Sequence, residues 1–292
     1  MVKKFLPLII ILVFLVVAGV VFLARSPVLI LNDLSFTRLY GPTRLALTRI
    51  KTSLSLFRPV IPVTVSEGAA PSLLSLAVEG TSKSPLAVIF PYRYIEGARF
   101  YRKEHPDVPI LVMGGRIQKP KIEEDFSFIR TDLVQDFFRA GLGAAVFAGE
   151  SREIVFFTDG IVTEEYKAAF RFGLRTRGFL GDPIFLDSSI DYSSYSNIGC
   201  VVVTGPASKF LERNLQIPVI YFSWADPTMT PRMVKLIFDD SPWALARQAL
   251  KYLDKSGEEV LIPSVPIIRL EGEEKKNFRI INDLIKEEFQ EK

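Results

Sequence analysis

Asn32, Asp33, Ser35 and Phe36 stand just after one apolar run, Glu67 after a second, and Tyr92 and Arg93 after a third. Further along, Asp159, Ser188, Tyr192, Gly205, Trp224 and Asp226 follow later runs in the same way, and Asp132 and Asp240 stand beside stretches that join the two halves. Carboxylates and amides take hydrogen bonds from hydroxyl groups, a guanidinium donates them, and an aromatic face covers a ring. Such a set holds a small polar solute, with polar groups fixing orientation inside a partly apolar pocket. Several members have a plainer use. Asp132 and Asp240 fit helix caps equally well, and Tyr92–Arg93 also suits the start of a solvated helix. Trp224 and Phe36 are expected in the pocket rather than the core, because both follow strands with polar ends.

The same residues do not assemble into a catalytic set. There is no G-x-S-x-G elbow, Walker A loop, G-x-G-x-x-G turn or H-E-x-x-H helix in the sequence. His105 is the only histidine and lies beside Pro106 in a loop-like EHPDVP stretch, so neither catalysis nor metal binding is expected of it. Cys200 is the only cysteine and sits within Gly199–Val203, which rules out an intrachain disulfide and a cysteine-rich metal site. Adjacent acids such as Asp239–Asp240 point to opposite faces of a strand, and Glu123–Glu124 suits a solvated loop. The expectation is therefore a non-enzyme with no cofactor and no metal. A net charge of +3, with Lys and Arg spread along the chain, also argues against a nucleic-acid partner.

Positioning such residues requires strands that end at a common edge, and strand and helix signals alternate along the chain. Ser127–Gly160 is the pivot: a strand, a helix from Asp132 rich in Gly and Ala, Gly149 as its stop, and a run from Glu153 that is apolar through a strand at Ile154–Thr158 and stops on Asp159 and Gly160. Before it, strands are expected at Pro27–Leu31, Pro59–Val65, Pro85–Tyr92 and Pro109–Gly115, with helices at Pro42–Leu56, Pro71–Val78 and Arg93–Glu104. Leu34–Thr37 reads as a lead into the first helix, and 116–125 as a loop. After the pivot come strands at Pro183–Leu186, Cys200–Val203 and Pro218–Phe222, with helices at Thr163–Thr176 and Pro206–Asn214. Strand Val234–Asp240, helix Pro242–Leu253, strand Val260–Ile268 and an amphipathic helix over 271–292 complete the chain. A chain of 292 residues, 48% hydrophobic, can build two cores of this kind. Ligands of open α/β sheets bind beyond the carboxyl ends of the strands, which is what selects the residues above.

Residues 1–25 are a different material. Lys3 and Lys4 precede an apolar run from Phe5 to Ala24 with no polar face, about the length that spans a hydrocarbon core. The Phe22-Leu23-Ala24 sequence is a poor cleavage site, so an uncleaved anchor is favoured over a signal peptide. The remainder is expected outside the cytoplasm, in the periplasm or at the cell surface, tethered to the inner membrane.

Three passages together resemble the type I periplasmic-binding-protein fold: Thr131-Asp132 to Ala140-Gly141 leading into a new strand; IPVIYFSWAD followed by VKLIFDDSPWALARQALKYLDKSG; and the opening NDLSFTRLYGPTRLAL. The second passage is similar to solute receptors and lac-repressor-type sensors. Asp33-x-Ser35-Phe36-Thr37 resembles the D-x-S-F-N opening of the basic-membrane-protein or nucleoside-receptor branch, with Thr37 in place of the asparagine. The resemblance implies two doubly wound parallel-sheet lobes joined by three hinge crossings, near Phe128–Arg130, Val234–Ile237 and Val260–Ile268. Lobe 1 would be residues 26–128 with 241–262, and lobe 2 residues 129–240 with 263–292. It further implies a protein that closes on a sugar or nucleoside and serves an ABC permease or a sensor. The alternatives are a ligand-free interaction protein on the same fold, its cleft filled by side chains such as Phe36 and Trp224, or a membrane-anchored hydrolase.

Overall fold

A computed structural model describes residues 2–81, 83–116, 126–149, 152–160, 162–186, 197–205, 207, 211–212, 216–225, 234–270, 275, 278–284 and 286, with side chains from Ile9 onward. All but Arg116 of the expected loop over 116–125 and most of the expected helix at Pro206–Asn214 lie outside the described residues. The chain divides into two compact units. Unit 1 is Met1–Thr37, Pro42–Ile129 and Pro242–Val260; unit 2 is Arg38–Gly41, Arg130–Ser241 and Leu261–Lys292.

The first sheet contains β1 (Val28–Asn32), β2 (Val60–Thr64), β3 (Ala87–Pro91), β4 (Ile110–Gly115), β5 (Ser127–Thr131) and β11 (Glu259–Ile262), in the spatial order β2-β1-β3-β4-β5-β11. β1 is parallel to both neighbours, with Val28 opposite Val60 on one side and Ala87 on the other. Val28–Leu31 and Ala87–Phe90 are fully buried, the continuous apolar pattern of a strand covered on both faces. The helices of this unit are the first part of α2 (Leu34–Tyr40), α3 (Pro42–Leu56), α4 (Pro71–Glu79), α5 (Ile95–Glu104) and a helix over Pro242–Ala249. Leu34–Thr37 is thus a turn of helix and not a lead-in, because Asp33 caps it: its carboxylate accepts from the Phe36 amide at 2.9 Å.

The second sheet contains β6 (Glu153–Phe157), β7 (Ile184–Leu186), β8 (Ile198–Val203), β9 (Val219–Phe222), β10 (Val234–Asp239) and β12 (Val265–Ile268), in the order β7-β6-β8-β9-β10-β12. The order is that of the first sheet, so the two halves share one topology without sequence repetition. β10 pairs antiparallel with β12; β6, β7, β8 and β9 pair in parallel. Its core is aromatic: Phe137 of α6 (Leu133–Ala148) lies 5.6 Å from Phe156 and 5.0 Å from Phe222, ring to ring. α6 crosses α7 (Glu164–Thr176) at paired glycines. A Cβ on Gly141 would lie 2.2 Å from the Phe170 carbonyl, and one on Gly173 would lie 2.1 Å from the Phe138 carbonyl. Only glycine permits that approach.

Three expectations change. Val234–Ile237 is no crossing; β10 lies within the second sheet and the chain passes over at Ser241–Pro242. The run Val260–Ile268 does cross between the sheets, as expected, but as two strands split at Pro263, which has no amide for a ladder, and Ser264, whose amide goes to Asp136. The helix from Pro242 ends at Ala249 and tightens into a 3-10 turn over Leu250–Tyr252. Of the C-terminal amphipathic stretch, Phe278–Leu284 is helical and Ile281 is fully buried in the second core.

The N-terminal helix α1 runs from Val2 to Ala24. Most of its described large side chains, among them Phe14, Leu15, Val20 and Leu23, are exposed, while Phe22 is half-buried. Among the described residues no helix is long and apolar enough to cross a membrane; side chains of α1 are described from Ile9, past the start of the apolar run at Phe5.

Candidate ligand site

A doubly wound sheet reverses its strand order at one place, and there two loops part and leave a crevice at the carboxyl edge. In unit 1 that place is between β1 and β3. Asp33 follows β1, and Arg93 and Tyr94 lie in the 3-10 turn Tyr92–Tyr94 that follows β3. Asp33 is buried, and its carboxylate collects four groups. Ser35 Oγ donates to Oδ1 at 2.9 Å, the Phe36 amide donates at 2.9 Å, Arg93 Nη2 is 2.5 Å from Oδ2, and the Tyr94 hydroxyl donates to Oδ2. Arg93 also donates to Ser35 Oγ at 2.6 Å, which closes a ring of Asp33, Ser35 and Arg93. The guanidinium lies 5.6 Å from the Phe36 ring and 5.2 Å from the Tyr94 ring, over their faces.

Electrostatics follows from those contacts. Burial pushes the Asp33 carboxyl upward, but the Tyr94, Phe36 and Ser35 hydrogen bonds and the Arg93 charge outweigh it and hold the group below its ordinary value. Burial, together with the bond to Asp33 and its charge, lifts the Tyr94 phenol to about 12. At neutral pH the cluster is a carboxylate, a guanidinium and a neutral phenol. Asp33 is enclosed, while the Arg93 side chain is 39% exposed, so the accessible part of the cluster is a donor with an aromatic beside it. Asn32 Nδ2 donates to Thr37 Oγ1 at 3.1 Å, and Thr37 Oγ1 donates to the Asp33 carbonyl at 3.1 Å. Thr37 thereby holds the turn that carries Asp33. Phe36 contacts Trp243, with ring centroids 5.6 Å apart.

Glu67 is exposed in the turn after β2. Tyr92 is half-buried, edge-on to Phe128 at 5.5 Å.

In unit 2 the corresponding reversal lies between β6 and β8. Asp159 is half-buried just beyond β6, and Gly205 is buried just beyond β8. A Cβ on Gly205 would sit 2.3 Å from the Thr158 carbonyl, so glycine is required there. Asp132 caps α6, accepting from the Gln135 amide at 3.0 Å. Asp240 is buried and accepts from Ser223 Oγ at 2.5 Å, while its neighbour Asp239 accepts from the Ser241 amide at 3.0 Å. Trp224 is a core residue, 6% exposed, with its ring 4.7 Å from Phe222. Ser188, Tyr192 and Asp226 lie outside the described residues. Unit 1 thus gathers Asn32, Asp33, Ser35, Phe36 and Arg93 into one cluster.

Tyr94 is absent from the sequence-based set, although its position two residues after Tyr92 in a Tyr-Arg-Tyr turn was a usable signal. Asp136 and Ser264 gave none. They are 128 residues apart, yet the buried Asp136 carboxylate accepts from the Ser264 amide at 2.9 Å and its hydroxyl at 2.5 Å. Burial pushes Asp136 up to about 8 despite those bonds. Among the described residues, one group with three metal-type donors converges, Glu79, Glu104 and His105 at the contact of α4 and α5. These side chains bond to one another and to Ser75: His105 Nε2 is 3.0 Å from Glu79, and Ser75 Oγ is 2.9 Å from Glu79 and 2.7 Å from Glu104.

No protein-family model matches the chain, and no curated protein matches it. Solved structures do. An ABC transporter system solute-binding protein from Conexibacter woesei DSM 14684 aligns with TM-score 0.57 and 11% identity, over 90% of this chain and 95% of that one. A transcriptional activator of the comK gene from Bacillus halodurans aligns with TM-score 0.52 and 10% identity, over 89% and 96%. Together with the two sheets of common order, these likenesses establish the fold: two α/β lobes of the type I periplasmic-binding-protein kind.

Proposed function

We propose that this chain, built on the type I periplasmic-binding-protein fold, is an extracytoplasmic solute-binding protein that closes its two lobes on a small polar ligand, a sugar or a nucleoside. The lobes are residues 26–128 with 241–262 and residues 129–240 with 263–292, and the ligand passes to an ABC permease or is reported to a sensor. The observation that carries this reading is the cluster at the reversal point of unit 1. A half-exposed guanidinium, fixed by a buried carboxylate and flanked by Phe36, is a pre-ordered donor beside a ring-sized apolar face. Asp132, Asp159, Gly205 and Asp240 are the residues proposed to meet the ligand from the other lobe, with Asn32, Ser35, Glu67 and Tyr92 completing the first. A neighbour in fold bears the name of a solute-binding protein. No catalytic role is assigned to any of these residues.

Residues 1–25 are proposed to anchor the protein. Phe5–Ala24 is about 30 Å of apolar helix at 1.5 Å per residue, and its large side chains from Ile9 to Val21 are exposed. Lys3 and Lys4 would stay in the cytoplasm by the positive-inside rule, placing the lobes on the other side.

The test is native mass spectrometry of the full-length protein purified in detergent from its host, followed by calorimetric titration with pentoses, hexoses and nucleosides. One class should co-purify and bind, and Arg93→Ala should abolish the heat. A second reading, a ligand-free interaction protein, is favoured by one observation: every oxygen of the Asp33 carboxylate is already satisfied from within unit 1. That reading stands if nothing co-purifies and no member of the panel binds.

A further inference from the structure

α3 carries two opposite faces. Leu45, Thr48 and Thr52 are buried, and Thr52 Oγ1 donates to the Trp243 carbonyl at 2.8 Å. On the other side, at i, i+3 and i+7, Leu47, Ile50 and Leu54 are 63%, 51% and 65% exposed. A helix with one side docked and the other openly apolar has a second surface to cover. Charge indicates what covers it. From Leu34 to Ser66 there is no Asp or Glu, whereas Lys51 and Arg58 are among the basic residues in the same stretch. Two copies of such a face would bring like charges together; an anionic surface would not.

Position supplies the second argument. Phe57, just past the end of α3, has φ 49°, and among the described residues it is the non-glycine residue found in the left-handed region. Bulky residues avoid that region unless a contact holds them. Here the Phe57 ring lies 5.9 Å from Phe22 of α1 with the Arg25 guanidinium 5.0 Å over it. Arg58 Nη1 donates to the Ser26 carbonyl at 2.8 Å, and Lys83 donates to the Leu23 carbonyl. The carboxyl end of α1 is therefore tied to the carboxyl end of α3 by aromatic and cationic side chains, the residue types that settle at a lipid–water boundary.

We infer that the exposed face of α3, Leu47, Ile50 and Leu54 with Lys51, is a docking surface for the anionic headgroup layer of the membrane that α1 enters. α1 sets its distance from the bilayer and Phe57 fixes its end against the anchor. The apolar side chains enter the boundary layer while the cations meet lipid phosphates. A molecule held this way sits on the membrane as a seated body, not at the end of a loose tether. The inference rests on the anchor reading of α1.

The experiment uses the full chain with an environment-sensitive fluorophore on Leu54→Cys; Cys200 is fully buried and does not compete for the label. The protein is reconstituted into vesicles of phosphatidylcholine alone or with phosphatidylglycerol, and flotation reports separately whether the chain is inserted. The label should shift to the blue on phosphatidylglycerol vesicles and stay water-like on phosphatidylcholine. Lys51→Gln should lower the docked-to-undocked ratio about fivefold. Water-like emission on both lipids, with the chain floating, would overturn the docking and leave the anchor intact. Failure to float would remove the anchor and the docking with it. A blue shift that follows protein density in pure phosphatidylcholine would assign the face to a second copy and overturn the inference as well.

Discussion

Asp33→Asn keeps the shape of the cluster and removes its charge. The side-chain oxygen of the variant could still accept from the Phe36 amide and Ser35, so two of the four interactions survive. The new amide nitrogen would then face Arg93 Nη2, donor against donor, in place of the 2.5 Å ion pair. Arg93 is 39% exposed, so solvent screens its share to about 0.5–1 kcal/mol. Tyr94 also donates to Oδ2, so in the variant its hydroxyl meets the amide nitrogen; that bond to a buried carboxylate contributes about 1.5–3 kcal/mol, part of which returns when the amide donates to the phenol oxygen instead. The expected loss in unit 1 is about 2 kcal/mol at pH 7. Trp243 lies in unit 1, so urea unfolding followed by its fluorescence in a Trp224→Phe background isolates that unit. The sign with pH is fixed by the lowered Asp33 value: its contribution is complete above the ordinary carboxylate value of ~3.9 and is lost as pH falls towards the lower folded value. Wild type and variant should therefore differ at pH 7 and converge as pH falls below about 4. Equal stability at pH 7, or a gap that persists undiminished at pH 3, would refute the assignment of the cluster as a charged, mutually supporting unit.

Gly141→Ala should destabilise unit 2 by about 2 kcal/mol, overpacking against the Phe170 carbonyl outweighing the ~1 kcal/mol gain in helix propensity; a stabilised variant in urea unfolding followed at Trp224 would contradict the crossing. Gly19→Ala, with nothing within 4 Å, should not lower helix content measured by circular dichroism. Asp136, raised to about 8, binds its proton more tightly folded than unfolded, so its contribution falls as pH rises from about 4 to 8. Asp136→Asn should flatten that slope for unit 2, and identical slopes would count against a protonated Asp136. Asp132→Ala should weaken ligand binding in calorimetry more than it lowers the melting temperature, whereas equal loss of both would leave Asp132 as a cap alone.

The alternation of apolar runs with amphipathic stretches was enough to specify strands and helices, because a strand buried on both faces has to be continuously apolar: Val28–Leu31, Ile154–Phe157 and Cys200–Val203 all read that way. Val260–Ile268 does cross between the sheets as expected, but as two strands and not one. Apolar continuity does not say which sheet a strand joins, and the split at Pro263–Ser264 depends on Asp136, which lies far away in sequence. Trp224 failed for a related reason. An aromatic after a polar-ended strand looks the same in sequence whether it faces a crevice or, as here, the ring of Phe222.

Asp33 and Arg93 were both legible as residues at strand ends, since carboxyl-edge placement is a property of each strand by itself. Their pairing was not. It arises because β1 and β3 are neighbours in the sheet while β2, between them in sequence, lies on the other side of β1. By itself the sequence determined the elements, the apolar N-terminal segment and the residue types at each strand end, all of which are local. Which of those ends meet, and so which carboxylate holds which guanidinium, was decided by strand order, a consequence of packing among residues distant along the chain.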